Sequence, residues 1–321
     1  MISMSTLRVC GRLANAFTLD LIRLDGHRGD MVEALLLAAI EDANLAPLGR
    51  DCDLQRRYAT EDADAPDDLR RPISINALAT SLRLPPQTVH RRVAGLAATG
   101  ACAVTLAGVI VPRTVTSSAK YQAALRAQYD GLQRLYGRLR AMGALDAPPA
   151  AEPWGSQPPV RIVRRLVLEY FLRFAELTVE HVGDPFRTLT LLEVIRINTG
   201  SWTDDEGGGA GVEPAAFVPD ARRAPASSSA VAARLGVSDK TIGRHLTRLV
   251  EAGMCQRVSR GYIVPATALA RPEVLTFAVR NYANVGRMFM TLAHLGVLEA
   301  WQDGPAGAGA ASCETEERRV R

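Results

Sequence analysis

The sequence predicts a mainly α-helical protein with short β-hairpins, built as a tandem duplication. Three observations carry this. Aromatic residues fill only 5% of 321 positions while Ala, Leu, Val and Arg dominate, a composition suited to packed helices. Runs with apolar residues at spacings of three and four are punctuated by glycines and by short β-rich stretches. The chain also repeats itself. Ile73–Pro112 aligns with Ala226–Pro265 at a constant offset of 153, and thirteen of forty positions are identical. Unrelated segments would share about two to four.

The repeat runs beyond this core. Tyr129/Tyr282, Arg134/Arg287, Leu139/Leu292 and Gly143/Gly296 keep the offset of 153. Upstream, His27/His181, Gly29/Gly183, Asp30/Asp184, Leu35/Leu189 and Asn44/Asn198 match at 154. The expected organisation is a first repeat over 1–146, a Pro-rich linker over 147–159, a second repeat over 160–300 and a disordered tail over 301–321.

Each half follows one plan. A first helix (about Leu13–Leu24, and Val160–Val182) leads through a turn to a second (about Met31–Asn44, and Pro185–Asn198). Asp30 and Asp184 are natural N-caps, and Pro185 suits the first helical position, where no N–H is needed. Irregular acidic segments follow, Asp51–Asp68 and Thr199–Asp220. These either shield the neighbouring basic segments or are solvated loops. Helix–turn–helix–hairpin segments occupy 71–112 and 224–265, and long amphipathic helices span Ser118–Met142 and Pro272–Leu298. The linker APPAAEPWGSQPP reads as a semi-stiff spacer.

The second helix–turn–helix segment is the sharper one. Ser228 or Ser229 is expected to cap a helix that buries Val231, Ala232 and Leu235. Gly236 then takes the left-handed position, which costs glycine little. Ser238 caps the next helix, whose core stripe is Ile242, Leu246 and Leu249. Gly253 ends it, and strands over Met254–Val258 and Gly261–Val264 flank a Ser259-Arg260-Gly261 tip. Asp239, Lys240, Arg244 and Arg248 point away from the core stripe, with Ser238 and Thr241 at the helix start. A helix in the major groove presents its N-terminal residues to base edges and its flanks to phosphates. The competing reading is a solvated face with ordinary charges.

The stretch SDKTIGRHLTRLVEAGM resembles the recognition helix of winged-helix bacterial transcriptional regulators of the Crp/Fnr, MarR and GntR types. Ser238, Asp239, Lys240, Thr241, Ile242, Gly243 and Arg244 match that pattern in order, and the resemblance covers about forty residues. It implies two tandem winged helix-turn-helix modules, each flanked by long helices. By that resemblance Asp239, Lys240 and Arg244 face bases, and Arg260 at the wing tip approaches the minor groove or the backbone. In the first copy the equivalent helix is Pro86–Ala98, with Val89, Val93 and Leu96 inward and Gln87, Thr88, Arg91 and Arg92 as candidate contacts. This copy departs from the pattern in three places. Arg83 replaces the turn glycine, Pro85 replaces the capping serine, and the tip Leu106-Ala107-Gly108 lacks a cation.

Charge supports nucleic acid as the partner. The net charge is only +4, yet no acidic residue occurs from Leu69 to Tyr129, and Ala221–Pro272 holds nine Lys/Arg against Asp239 and Glu251. The five cysteines lack CxxC spacing, so neither a disulfide framework nor a zinc site is indicated. Cys102 and Cys255 read as small core residues, and paired His27 and His181 as groups at helix ends. Trp154, Trp202 and Trp301 do not indicate a ligand pocket. No phosphate loop, GxSxG or HExxH is present, so no enzymatic activity or cofactor is expected. The N-terminus lacks a signal-peptide run, and a soluble cytoplasmic, nucleoid-associated protein is expected.

The leading expectation is a sequence-specific transcriptional regulator that binds double-stranded DNA through two modules on one chain. The helices Ser118–Met142 and Pro272–Leu298 would pack the halves together or form a homodimer. Two alternatives stand: a plasmid-type replication initiator, which also resembles two tandem winged helices, and a winged-helix protein–protein scaffold of chromosome organisation.

Overall fold

A computed structural model describes residues 3–24, 31–147, 149 and 151–302. Among them the chain is mainly helical with two small antiparallel hairpins, and the second half follows the element order of the first apart from one short helix peculiar to each half. The first half comprises α1 (Met4–Leu24), α2 (Met31–Arg50), α3 (Cys52–Arg57), α4 (Ile75–Ser81), α5 (Pro86–Ala98), the hairpin β1 (Ala103–Thr105) and β2 (Gly108–Ile110), α6 (Arg113–Thr116) and α7 (Ala119–Ala141). The second comprises α8 (Val160–Val182), α9 (Pro185–Asn198), α10 (Ser228–Leu235), α11 (Asp239–Glu251), β3 (Gln256–Val258), β4 (Gly261–Ile263), α12 (Ala266–Leu269), α13 (Pro272–His294) and α14 (Val297–Gln302). None of the described helices is long and apolar enough to cross a membrane.

Several expected boundaries move. The first helix begins at Met4, because Leu7, Val9 and Cys10 reach the same core as Leu13 and Phe17. The cap of α10 is Ser227, whose side chain accepts from the Ala230 amide. Part of the first acidic segment is helical, since Asp51 caps α3 by accepting from the Asp53 and Leu54 amides. Gly296, at φ 71°, ends the long last helix and starts α14, which returns Trp301 to the core. Trp301 therefore does not belong to a tail; its indole donates to the Tyr129 hydroxyl at 2.6 Å. The linker is not a free spacer either, because Trp154 donates its backbone N–H to Gly296 at 2.9 Å. His27, Gly29, Asp30 and the tail from Asp303 lie outside the described residues.

The halves are interlocked. Helix α2 packs against α8, and α9 packs against α1, so each second helix lies on the first helix of the other half. The long helices α7 and α13 both pack against α1 and α8. The result is one core in which Leu13 and Phe17 of α1, Leu132 of α7, Phe174 of α8, Leu189 of α9 and Leu292 of α13 are continuous. The α10–α11 segment joins this core through Val231, Ile242 and Leu249, whereas α4 and α5 build a smaller cluster with α2 around Leu36, Leu78 and Val89.

The acidic segments explain the interlock. Arg161 and Arg165 at the start of α8 enter the first half: Arg161 pairs with Asp64 at 3.0 Å and Arg165 donates to the Tyr58 carbonyl at 3.2 Å. Their counterparts at the 153 offset, Arg8 and Arg12, enter the second half. Arg8 donates to the Gly209 carbonyl at 2.8 Å and lies over the Phe217 ring, and Arg12 donates to the Thr203 carbonyl at 2.6 Å. Asp204 is held by Arg138, and Glu206 by Arg222. These segments are sockets for arginines of the opposite half, not shields over α5 or α11.

Candidate nucleic-acid interface

Each hairpin is seated by one buried asparagine. Asn44 within α2 donates to the Arg71 and Val109 carbonyls (2.8 and 3.2 Å) and accepts from the Val111 amide at 2.8 Å. Asn198 on α9 does the same with Ala224, Tyr262 and Val264 at 2.7, 3.1 and 2.8 Å. A single-residue antiparallel bridge adds to each hairpin, Ile73 to Val109 and Ala226 to Tyr262. Gly108 and Gly261 are required at that approach. Their φ values are 137° and 145°, and a Cβ would fall 2.7 and 2.3 Å from the Ile73 and Ala226 carbonyl oxygens.

A second duplicated clamp fixes the outer side. Arg70 and Arg223, both buried, bond to Asp67 and Asp220 at 3.1 and 3.0 Å. Those carboxylates in turn accept from the Arg113 and Ala266 amides at the starts of α6 and α12 (2.6 and 2.8 Å). Desolvation lowers the Arg223 pKa from its ordinary value, with Asp220 opposing. Arg70 and Arg223 belong to the basic stretches of the sequence, yet neither is available to a ligand.

With the scaffold set, the cations of the second basic stretch divide cleanly. Arg222 pairs with Glu206, Arg223 with Asp220 and Arg234 with Glu193, while Arg271 donates to the Ala252 and Gly253 carbonyls. The other five, Lys240, Arg244, Arg248, Arg257 and Arg260, are exposed and have no hydrogen-bond or ion-pair partner among the described residues. All five lie on α11 or on the hairpin after it. Lys240, Arg244 and Arg248 recur every four residues and form one stripe about 12 Å long, opposite Ile242, Leu246 and Leu249.

The start of α11 is as expected: Ser238 accepts from the Thr241 amide, and the two hydroxyls lie 2.9 Å apart. Asp239 is exposed beside them. The inward side is held by His245, which stacks on Phe186 at 4.8 Å with Nδ1 4.0 Å from Asp184. Burial keeps its pKa below the ordinary value; Asp184 opposes this, and Arg248, Arg187 and Arg244 reinforce it.

The first copy is poorer. Gln87 and Arg91 are exposed on α5 and Thr88 is half-buried, but Arg92 turns inward to Glu33 of α2 at 3.1 Å. Arg126 is held by Glu61, and Arg83 lies 3.4 Å from Glu176. Arg83 has φ 52°, the left-handed position that Gly236 fills with φ 70° in the second copy; a non-glycine residue there costs about 1 kcal/mol. Pro85 precedes α5 without a side-chain cap. The hairpin tip presents Val104 and Leu106 to solvent where the second copy has Arg257 and Ser259.

Within the second basic stretch, and among the described residues, Arg257 is the free cation absent from the sequence-based candidates. Its signal was present, since it alternates outward on a strand beside the predicted tip. The burial of Arg70 and Arg223 and the inward turn of Arg92 had no local signal, because their seating depends on the tertiary fold. Set against models of protein families, curated proteins and solved structures, the chain matches none.

Proposed function

We propose that this chain is a sequence-specific DNA-binding transcriptional regulator. It grips duplex DNA through two winged helix-turn-helix modules, α4–β2 and α10–β4, and α11 with its hairpin is the main reader. One observation carries the reading: every unpaired cation of the second basic stretch lies on the face that a major-groove helix and its wing would present. A solvated surface has no reason to segregate its charges this way, whereas phosphate neutralisation requires it. Arg244 and Arg91 occupy the same repeat position, so both modules keep one outward arginine two turns into the helix. In α11 it stands between Lys240 and Arg248; in α5 it stands alone.

The test is fluorescence anisotropy on random-sequence duplex DNA over a salt series, followed by selection of a preferred site. Each lost phosphate contact lowers the log–log salt slope by about 0.9. Lys240→Ala with Arg244→Ala is expected to reduce the slope by about two, and Gln87→Ala with Arg91→Ala by about one. Unchanged affinity and slope in the first variant would overturn the proposal.

A further inference from the structure

The duplication creates two equivalent positions where the first helix of one half meets the acidic segment and last helix of the other. They are filled differently. In the first half Arg164 of α8 is buried as a plug. Its guanidinium bonds to Glu41 at 2.7 and 3.1 Å and to Gln128 at 2.9 Å, and Tyr121 donates to Glu41. About 10 Å³ is left empty. In the second half Gly11 stands for Arg164, Val274 for Tyr121 and Asn281 for Gln128 at the 153 offset, and Ile195 stands for Glu41 at 154.

The plug is thus removed residue by residue, and a cavity of about 320 Å³ stands in its place, lined mainly by apolar side chains. A Cβ on Gly11 would meet nothing within 4 Å. Close packing does not leave voids of this size, and small-molecule sites begin at roughly 300 Å³.

The polar residues of the lining point to the ligand's chemistry. Arg8, Arg187 and Asn15 line it, and the Nε atoms of the two arginines and the Asn15 Oδ1, all buried, have no hydrogen-bond partner among the described residues. Two of them are guanidinium donors in a largely apolar enclosure, where an unmet donor is unfavourable. Of the lining carboxylates, Glu206 is already taken by Arg222 and the Thr203 amide and Glu273 is exposed at the start of α13, while Glu213, outside the lining, acts on Arg8 only electrostatically. We propose that this cavity binds a small monocarboxylate with an apolar body, of medium-chain fatty-acid or aryl-carboxylate size.

The same wall includes Leu249 and Ala252 at the end of α11, Met254 and Val264 around its hairpin, and Arg271, which holds the Ala252 and Gly253 carbonyls at 3.0 Å each. Occupancy therefore bears on the seat of α11. That regulatory consequence rests on the DNA-binding reading; the site itself does not.

Calorimetry on the full chain without DNA tests the site, with octanoate and phenylbutyrate as probes and octanol and acetate as controls. At least one carboxylate is expected to bind about tenfold or more tightly than octanol, and acetate not at all. Gly11→Leu fills the cavity, so it is expected to keep or raise Tm while losing the carboxylate. Arg187→Met is expected to abolish the preference for octanoate over octanol. Absence of binding by both probes, or undiminished binding in a folded Gly11→Leu, would overturn the site. DNA affinity measured with and without the bound carboxylate then tests the coupling alone. An unchanged value removes the regulatory role and leaves the site, whereas no DNA binding in either condition counts against the DNA-binding reading.

Discussion

Replacing Asn198 by Leu isolates the contribution of one buried side chain to the seating of the second hairpin. Leucine keeps the branching of the side chain and removes three hydrogen bonds. The losses are unequal. The Tyr262 carbonyl still accepts from the Ala226 amide at 2.9 Å, so it is not orphaned. The Val264 amide is buried and is left without a partner, and the Ala224 carbonyl is left to partial solvent. An orphaned buried donor costs about 1–3 kcal/mol and a half-solvated carbonyl less, so the substitution should destabilise by about 2–4 kcal/mol. Asn44→Leu repeats the situation: Val109 keeps the Ile73 amide, and Val111 and Arg71 lose their partners. Urea titration measures the loss, and amide exchange locates it, with protection at Val264 or Val111 collapsing before that of the shared core. A loss below about 1 kcal/mol in both variants, or exchange that rises uniformly, would refute this account of how the hairpins are held.

Two further outcomes follow from buried charge. Glu41→Leu strands Arg164 inside the protein and should cost about 3–5 kcal/mol, while Glu41→Leu combined with Arg164→Met should be more stable than either single variant; additive losses in a double-mutant cycle would contradict a coupled pair. Asp42 is pushed up to about 6 by burial, then by Glu169 and Glu41, with Arg173 opposing. A carboxyl raised in the folded state binds its proton more tightly there than in the unfolded chain. Its contribution is therefore present below the ordinary value of 3.8 and is lost as pH rises through about 6. Asp42→Asn should accordingly raise stability at pH 7.5 by roughly 1–2 kcal/mol, a figure reduced for partial solvation, and the gain should shrink as pH falls below about 6. Thermal melts of both proteins across that range decide it, and a pH-independent difference would exclude Asp42 as the titrating group.

Much of the candidate interface was legible in the chain itself. The stripe Ile242, Leu246 and Leu249 is buried as its spacing predicts, and Ser238 caps α11. The identities at offset 153 marked Gly108 and Gly261, whose φ and crowding no other residue satisfies without strain. Asn44 and Asn198 were visible as a pair, but their task was not. A polar residue in a helix reads the same whether it faces water or three backbone groups.

What the sequence by itself determined is local and repeated: which segments are helices, where most of them are capped, and that two helix–turn–helix–hairpin units follow one plan. Those properties depend on residues within a few positions of each other, so a single chain displays them. Only the tertiary structure decided which half each first helix completes, which arginines keep a free charge, and that one duplicated site is plugged while its twin is open. Arg164 meets Glu41 across 123 residues, and Arg8 meets Gly209 across 201. Burial and pairing at such separations belong to the packing of the whole chain, and a cation's role follows from the partner that packing brings to it.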